Sequence, residues 1–188
     1  RLLYYPGIQA SLTTSQDFTN PVSLPRYTDG DQVMAWLECT GSASIASVQG
    51  FGYATYTYTN QAGTAGQQNE QYIKMYSAAR HTALPHTATI DGFWNPFLPL
   101  VGTESGIQSI ASIQFVSTIN GFMTMVLGKV LGVMPIPTVS VMAERDYMFQ
   151  ICNLARQYDG ACLNALVYVP GALAASTLYK GNVEVGWG

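Results

Sequence analysis

Few side chains in this sequence are of a kind that does chemistry, and their spacing argues against most of what they could do. The two histidines, His81 and His86, share a proline-containing stretch. Zinc takes about four Cys, His or carboxylate ligands, and that neighbourhood supplies no third. Cys39, Cys152 and Cys162 match no zinc spacing and cannot all pair within one chain, so buried free thiols are expected. Asp29-Gly30-Asp31 holds a fragment of a calcium loop without the remaining acidic positions, and a turn before a strand is the simpler reading. Gly102-Thr103-Glu104-Ser105-Gly106 places a serine among glycines, but not in the G-x-S-x-G order, and no base is near it in sequence. Gly50-Phe51-Gly52 and residues 63–66 lack the Gly-Lys-Ser/Thr that completes a phosphate loop. Glu144, Arg145 and Asp146 are the densest charges; a solvated helix face accounts for them, with an intersubunit ion pair as the alternative. No enzymatic activity, metal or cofactor is expected.

The aromatic residues are the remaining candidates. Tyr53, Tyr56, Tyr58, Phe93 and Trp94 could stack on sugar rings, whereas core and interface packing is the simpler use of so many rings. The residues singled out as interface candidates are Phe93, Trp94, Phe97, Tyr56, Tyr58 and Trp187.

Composition bounds what these residues serve. A chain of 188 residues buries about 70% of its unfolded surface and needs no disulfide or metal to fold. Charged residues make up 10% of it and hydrophobic ones 48%, where about 25% charged is usual. Thr, Ser, Asn, Gln, Gly and Tyr fill the difference. Lysine and glutamate are depleted and tyrosine enriched where surface is buried on association; a secreted β-protein with a neutral polar surface has the same composition. The net charge is −3 and the eight Lys plus Arg are scattered. Without a basic stripe, no sequence-specific nucleic-acid contact is expected. The most apolar stretch, residues 121–134, contains Lys129 and is too short to span a bilayer, so no transmembrane segment is expected.

The elements that would position these groups are mostly strands. Residues 1–30 are polar and rich in turn signals, and read as an extended N-terminal arm or loop ahead of one domain over 31–188. Residues 32–39 alternate Val33, Ala35 and Leu37 against Met34, Trp36 and Glu38; residues 50–60 alternate tyrosine against threonine. Residues 61–70 read as a loop, 72–75 as a strand, and 77–100 as irregular. Asn120-Gly121 predicts a hairpin pairing Phe115 with Val126, apolar on both faces, although Ile107, Ile110, Ile113 and Val116 recur every third residue and permit a helix over 105–116. Residues 139–158 carry the best helical stripe, stopped at Asp159-Gly160. Residues 163–169 and 177–187 read as two closing strands.

Taken with the polar arm and the long loops, two stretches carry a resemblance: residues 165–171 (ALVYVPG), a strand entering a Pro-Gly turn, and residues 177–187 (TLYKGNVEVGW). This arrangement resembles the shell domain of icosahedral virus coat proteins. The resemblance implies a mostly β fold, an antiparallel β-sandwich of jelly-roll type with one or two short helices. It implies a structural capsid protein, located in the virion, that self-assembles with its own copies and with other capsid proteins to enclose a genome. One departure stands out: many RNA virus coats carry a strongly basic N-terminal arm, and residues 1–30 here hold only Arg1 and Arg26. The alternative expectations are a carbohydrate-binding or adhesive β-sandwich and a phage tail-tube or decoration protein.

Overall fold

Alternation of apolar and polar residues governs the local structure almost throughout. The computed structural model describes residues 1–19, 23–39, 50–75, 82–86, 97–116, 121–135, 142–144, 158 and 160–163. Among these are eight strands: β1 (Leu3–Gln9), β2 (Gln16–Asp17), β3 (Val33–Cys39), β4 (Gly50–Asn60), β5 (Gln67–Met75), β6 (Thr82–His86), β7 (Ile107–Phe115) and β8 (Phe122–Lys129). They form two antiparallel sheets, and no helix occurs among the described residues. The first sheet runs β1-β8-β3-β6 and the second β6-β5-β4-β7-β2, so β6 pairs into both. A further antiparallel bridge, Asp31↔Gly106, joins the sheets where β3 and β7 begin.

Each strand turns one row of side chains into a shared core, because successive residues point to opposite faces. The first sheet contributes Tyr5 and Ile8 from β1, Val33, Ala35 and Leu37 from β3, and Met123, Met125 and Leu127 from β8. The second contributes Ala54, Tyr56 and Tyr58 from β4, and Ile107, Ile110, Ile113 and Phe115 from β7. The two faces expected of residues 32–39 are the faces observed: Val33, Ala35 and Leu37 are in the core, while Trp36 and Glu38 lie on the other side. β4 has the bounds read from the sequence.

β8 is buried on both faces. Val126 and Trp36, which face away from the core, are 0% and 4% exposed. The Trp36 indole lies against Gly128, where a Cβ would come within 2.7 Å of the ring, and meets the Phe97 ring edge-on at 5.9 Å. Its Nε1 donates to Glu38 Oε1 at 2.8 Å, and the Arg1 guanidinium donates to both oxygens of the same carboxylate.

Several expectations are corrected. β7 and β8 do not form the hairpin proposed around Asn120-Gly121: Phe115 pairs with Ala54, and Val126 with Tyr4 and Trp36. A hairpin would place both strands in one sheet, whereas separating them lets the isoleucines of β7 and the methionines of β8 face one another across the core. The helix permitted over 105–116 is strand β7. Its three-residue spacing comes from two bulges, at Thr57/Tyr58 and Thr59/Asn60 of the β4 ladder. Each bulge inserts one extra residue, which brings Ile107, Ile110 and Ile113 onto the same face. Residues 67–70, read as loop, are the first half of β5, and β6 crosses the stretch read as irregular.

The stretch 1–30 supplies strands β1 and β2 together with core residues Leu3, Tyr5, Ile8, Ala10 and Leu24. A bulge between Tyr5 and Ile8 takes up Pro6-Gly7, with Gly7 in the left-handed region at φ 82°. The helix expected over 139–158 and the closing strands at 163–169 and 177–187 fall almost wholly outside the described residues; Met142 to Glu144, which are described, are not helical.

Candidate interaction surfaces and the tyrosine cluster

The tyrosine row of β4 faces inward. Tyr56 and Tyr58 are fully buried, their rings stacked at 5.9 Å, and Phe115 and Ile113 share the same core. Burial of a phenol requires partners for its hydroxyl, and residues 97–106 provide them. Leu98, itself buried, donates its amide to Ala35 O at 2.8 Å, which fastens this strap to β3. On the other side the Tyr56 hydroxyl donates to Pro99 O, which also accepts from Asn69 Nδ2 at 3.1 Å. The Tyr58 hydroxyl donates to Glu104 Oε2 and accepts from the Val101 amide at 2.8 Å. Asn60 Nδ2 donates to Glu104 Oε1 at 2.7 Å, while Asn60 Oδ1 accepts the Ala62 and Thr64 amides of the β4–β5 turn.

The strap thus spans the gap between the sheets, held by four side chains of the β4–β5 hairpin, Tyr56, Tyr58, Asn60 and Asn69. Burial removes Tyr56 and Tyr58 from any stacking or subunit surface. The sequence pattern located these rings on one face of β4 but did not say which face was inside.

Burial also sets how the phenols titrate. It raises the Tyr5 hydroxyl above its ordinary value and the Tyr56 hydroxyl well above it, and Tyr58 is pushed up to about 12, chiefly by burial and then by its bond to Glu104. A group whose pKa is raised on folding stabilises the fold fully below its unfolded pKa and ceases to do so as pH rises through the folded one. Stability should therefore hold up to the ordinary tyrosine value of 10.0 and fall from there towards 12. Tyr58 alone contributes a slope of about 1.4 kcal/mol per pH unit in that window. Denaturant titrations read beside tyrosinate absorbance measure this. Ionisation of all twelve tyrosines by pH 10 in the folded protein would contradict it.

The start of the strap forms a different kind of contact. Phe97, an interface candidate, is half-buried against Trp36. Phe93, Trp94 and Trp187 lie outside the described residues. At the other end, Ser105 Oγ donates to Asp31 Oδ1 at 2.6 Å and its amide meets Gln61 Oε1 at 3.2 Å. The serine considered as a nucleophile thus ties the start of β7 to the start of β3. Asp29 accepts the Asp31 amide through Oδ1, which makes Asp29-Gly30-Asp31 the turn expected of it. No group of three or more potential metal ligands occurs among the described residues. No helix among them is long and apolar enough to cross a membrane.

What remains outside is a neutral surface. Thr55, Thr57 and Thr59 of β4 turn away from the core beside Ser109, Ser112 and Gln114 of β7 and Gln68 of β5, with Glu70 and Asp17 as the charges of these paired positions. Further along the same ladder β5 continues to Lys74, the partner of Phe51. Beyond this face, Tyr4, Val116, Phe122, Val133 and Met142 are exposed, Val133 at 68% and Met142 at 88%. Sequence reasoning missed this apolar set, because exposure of single residues leaves no periodic signal. Comparison with protein-family models, with curated proteins and with solved structures returns no match for this chain.

Proposed function

We propose that this chain is a structural coat subunit: a component of a virion shell that assembles with its own copies and other capsid proteins around a genome. On this reading the two antiparallel sheets belong to a β-sandwich of jelly-roll type. The observation that carries it is the outward face of the second sheet, where the paired positions Thr55, Thr57, Thr59, Ser109, Ser112, Gln114 and Gln68 are hydroxyls and carboxamides and the charges are few, Glu70 and Asp17 beside them and Lys74 further along β5. Lysine and glutamate are depleted where surface is buried on association. A face this low in charge suits contact with protein. The exposed Tyr4, Phe122 and Val133 support the same reading. The glycan reading loses Tyr56 and Tyr58, two of its five candidate rings, to the core and is set second.

Light scattering after gel filtration, followed by negative-stain imaging of the largest fraction, tests the proposal. Closed shells tens of nanometres across are the expected result. Tubes or rings would favour a tail component, and a monomer at every concentration would overturn the shell reading for this chain alone.

A further inference from the structure

Followed from one hydrogen-bonded neighbour to the next, the described strands form a nearly closed ring. The order runs β1-β8-β3-β6-β5-β4-β7-β2, with β6 joining the two sheets on one side. Among the described residues the gap left in this order lies between the end strands, β1 and β2, and side chains bridge it at two levels. At the surface, Gln16 Oε1 accepts the Gln9 amide at 2.8 Å and Gln16 Nε2 donates to Gln9 O at 2.9 Å. Nearer the core the Tyr5 and Phe18 rings meet at 4.9 Å, and the Tyr5 hydroxyl accepts the Ile110 amide of β7 at 3.4 Å. A carboxamide carries the same kinds of donor and acceptor as a peptide group. Gln16 therefore gives Gln9 the two bonds that a neighbouring strand would give.

We propose that Gln16 is a latch, which closes the ring between β1 and β2 and keeps the backbone of Gln9 from pairing with a strand of a second copy. Gln9 stands opposite Phe122 of β8, yet its amide and carbonyl are turned to Gln16, and the next bond to the β8 side is made by the Ala10 amide, to Gly121 O. Gln9 O also accepts the Leu12 amide at 3.2 Å. Among the described residues the Gln9 amide has no acceptor but Gln16. Closure of a ring of strands removes the edges that serve as templates for another chain. Both bonds of the latch are neutral, and they join an exposed residue to a half-buried one, the weaker class of hydrogen bond. The latch can thus release while the Tyr5–Phe18 contact stays packed. It rests on the contacts across this seam and does not depend on the coat reading.

Amide exchange at Gln9, read beside sedimentation velocity of the full chain, tests the latch. Gln16→Met keeps the length of the side chain and removes both bonds. The Gln9 amide should then exchange about tenfold faster, and association should tighten about tenfold, for the two backbone bonds that a second copy gains. Gln16→Glu keeps an acceptor and adds a charge at the seam, so it should protect the Gln9 amide and leave association no tighter than in the unaltered chain. Gln68→Met puts the same apolar side chain at an exposed position of β5 and should change neither reading. Unchanged exchange at Gln9 in Gln16→Met, or faster exchange without tighter association, would overturn the latch, as would equal tightening by Gln68→Met. Imaging decides the coat reading separately. Shells formed alike with and without Gln16, at unchanged affinity, remove the latch alone; tighter association of Gln16→Met with no shells from either chain removes the coat alone.

Discussion

Gly106→Ala should destabilise the fold by about 3 kcal/mol or more, a fall in melting temperature of roughly 6–12 °C for a chain of this size. A Cβ at Gly106 would stand 2.0 Å from Gly30 O and 2.8 Å from Gln32 N, both backbone atoms that no side-chain rotation can move. Gly30 is as confined from the opposite side, where its own Cβ would meet the Ile107 carbonyl at 2.7 Å. These two glycines let β3 and β7 approach closely enough for the Asp31↔Gly106 bridge and for the Gln32 amide to reach Ser105 O at 3.1 Å. Gly63→Ala is the control: Gly63 also has a positive φ, 78°, but nothing within 4 Å of its Cβ position. It should cost only about 1–2 kcal/mol, the strain of a left-handed conformation. Thermal unfolding of the two variants distinguishes close approach from backbone strain, and equal losses would refute the crossing.

The second large effect belongs to Glu104. Glu104→Ala leaves the Tyr58 hydroxyl and Asn60 Nδ2 without their acceptor. Orphaning two partly buried donors costs about 2–4 kcal/mol in all. Glu104→Gln keeps one carbonyl oxygen and should lose about half as much. Tyr58→Phe removes the donor and also the acceptor of the Val101 amide. A double-mutant cycle between Tyr58→Phe and Glu104→Ala should then show coupling of about 1 kcal/mol or more. Additive losses would mean that the strap is held elsewhere, by Leu98 and Pro99. Amide exchange over residues 97–106 gives an independent reading, since loosening the strap exposes the Leu98 and Val101 amides first.

These two predictions lie on features that differ in how far the sequence announced them. Single-strand patterns were legible: β3 and β4 followed from strict alternation, and the inward row of β3 followed with them. The same alternation on β4 was ambiguous, because tyrosine is as suited to an interface as to a core. Only the presence of the strap above Tyr56 and Tyr58 places them inside. The three-residue period of β7 was misleading as a helical signal, since bulges depend on the partner strand and leave no mark of their own in the chain that carries them.

What the sequence by itself determined was local and compositional: a low-charge, β-rich chain, the faces of β3, the turn at Asp29-Gly30-Asp31, and an absence of familiar catalytic spacing. These depend on side chains within a few positions of one another. Tertiary structure alone decided which strands pair. Asn120-Gly121 favours a hairpin locally, yet β7 and β8 enter different sheets, because that arrangement buries both apolar rows between two layers. It also brought Glu104 to Tyr58 and Gly106 to Gly30, pairs far apart in sequence and joined only when the two sheets close on one core.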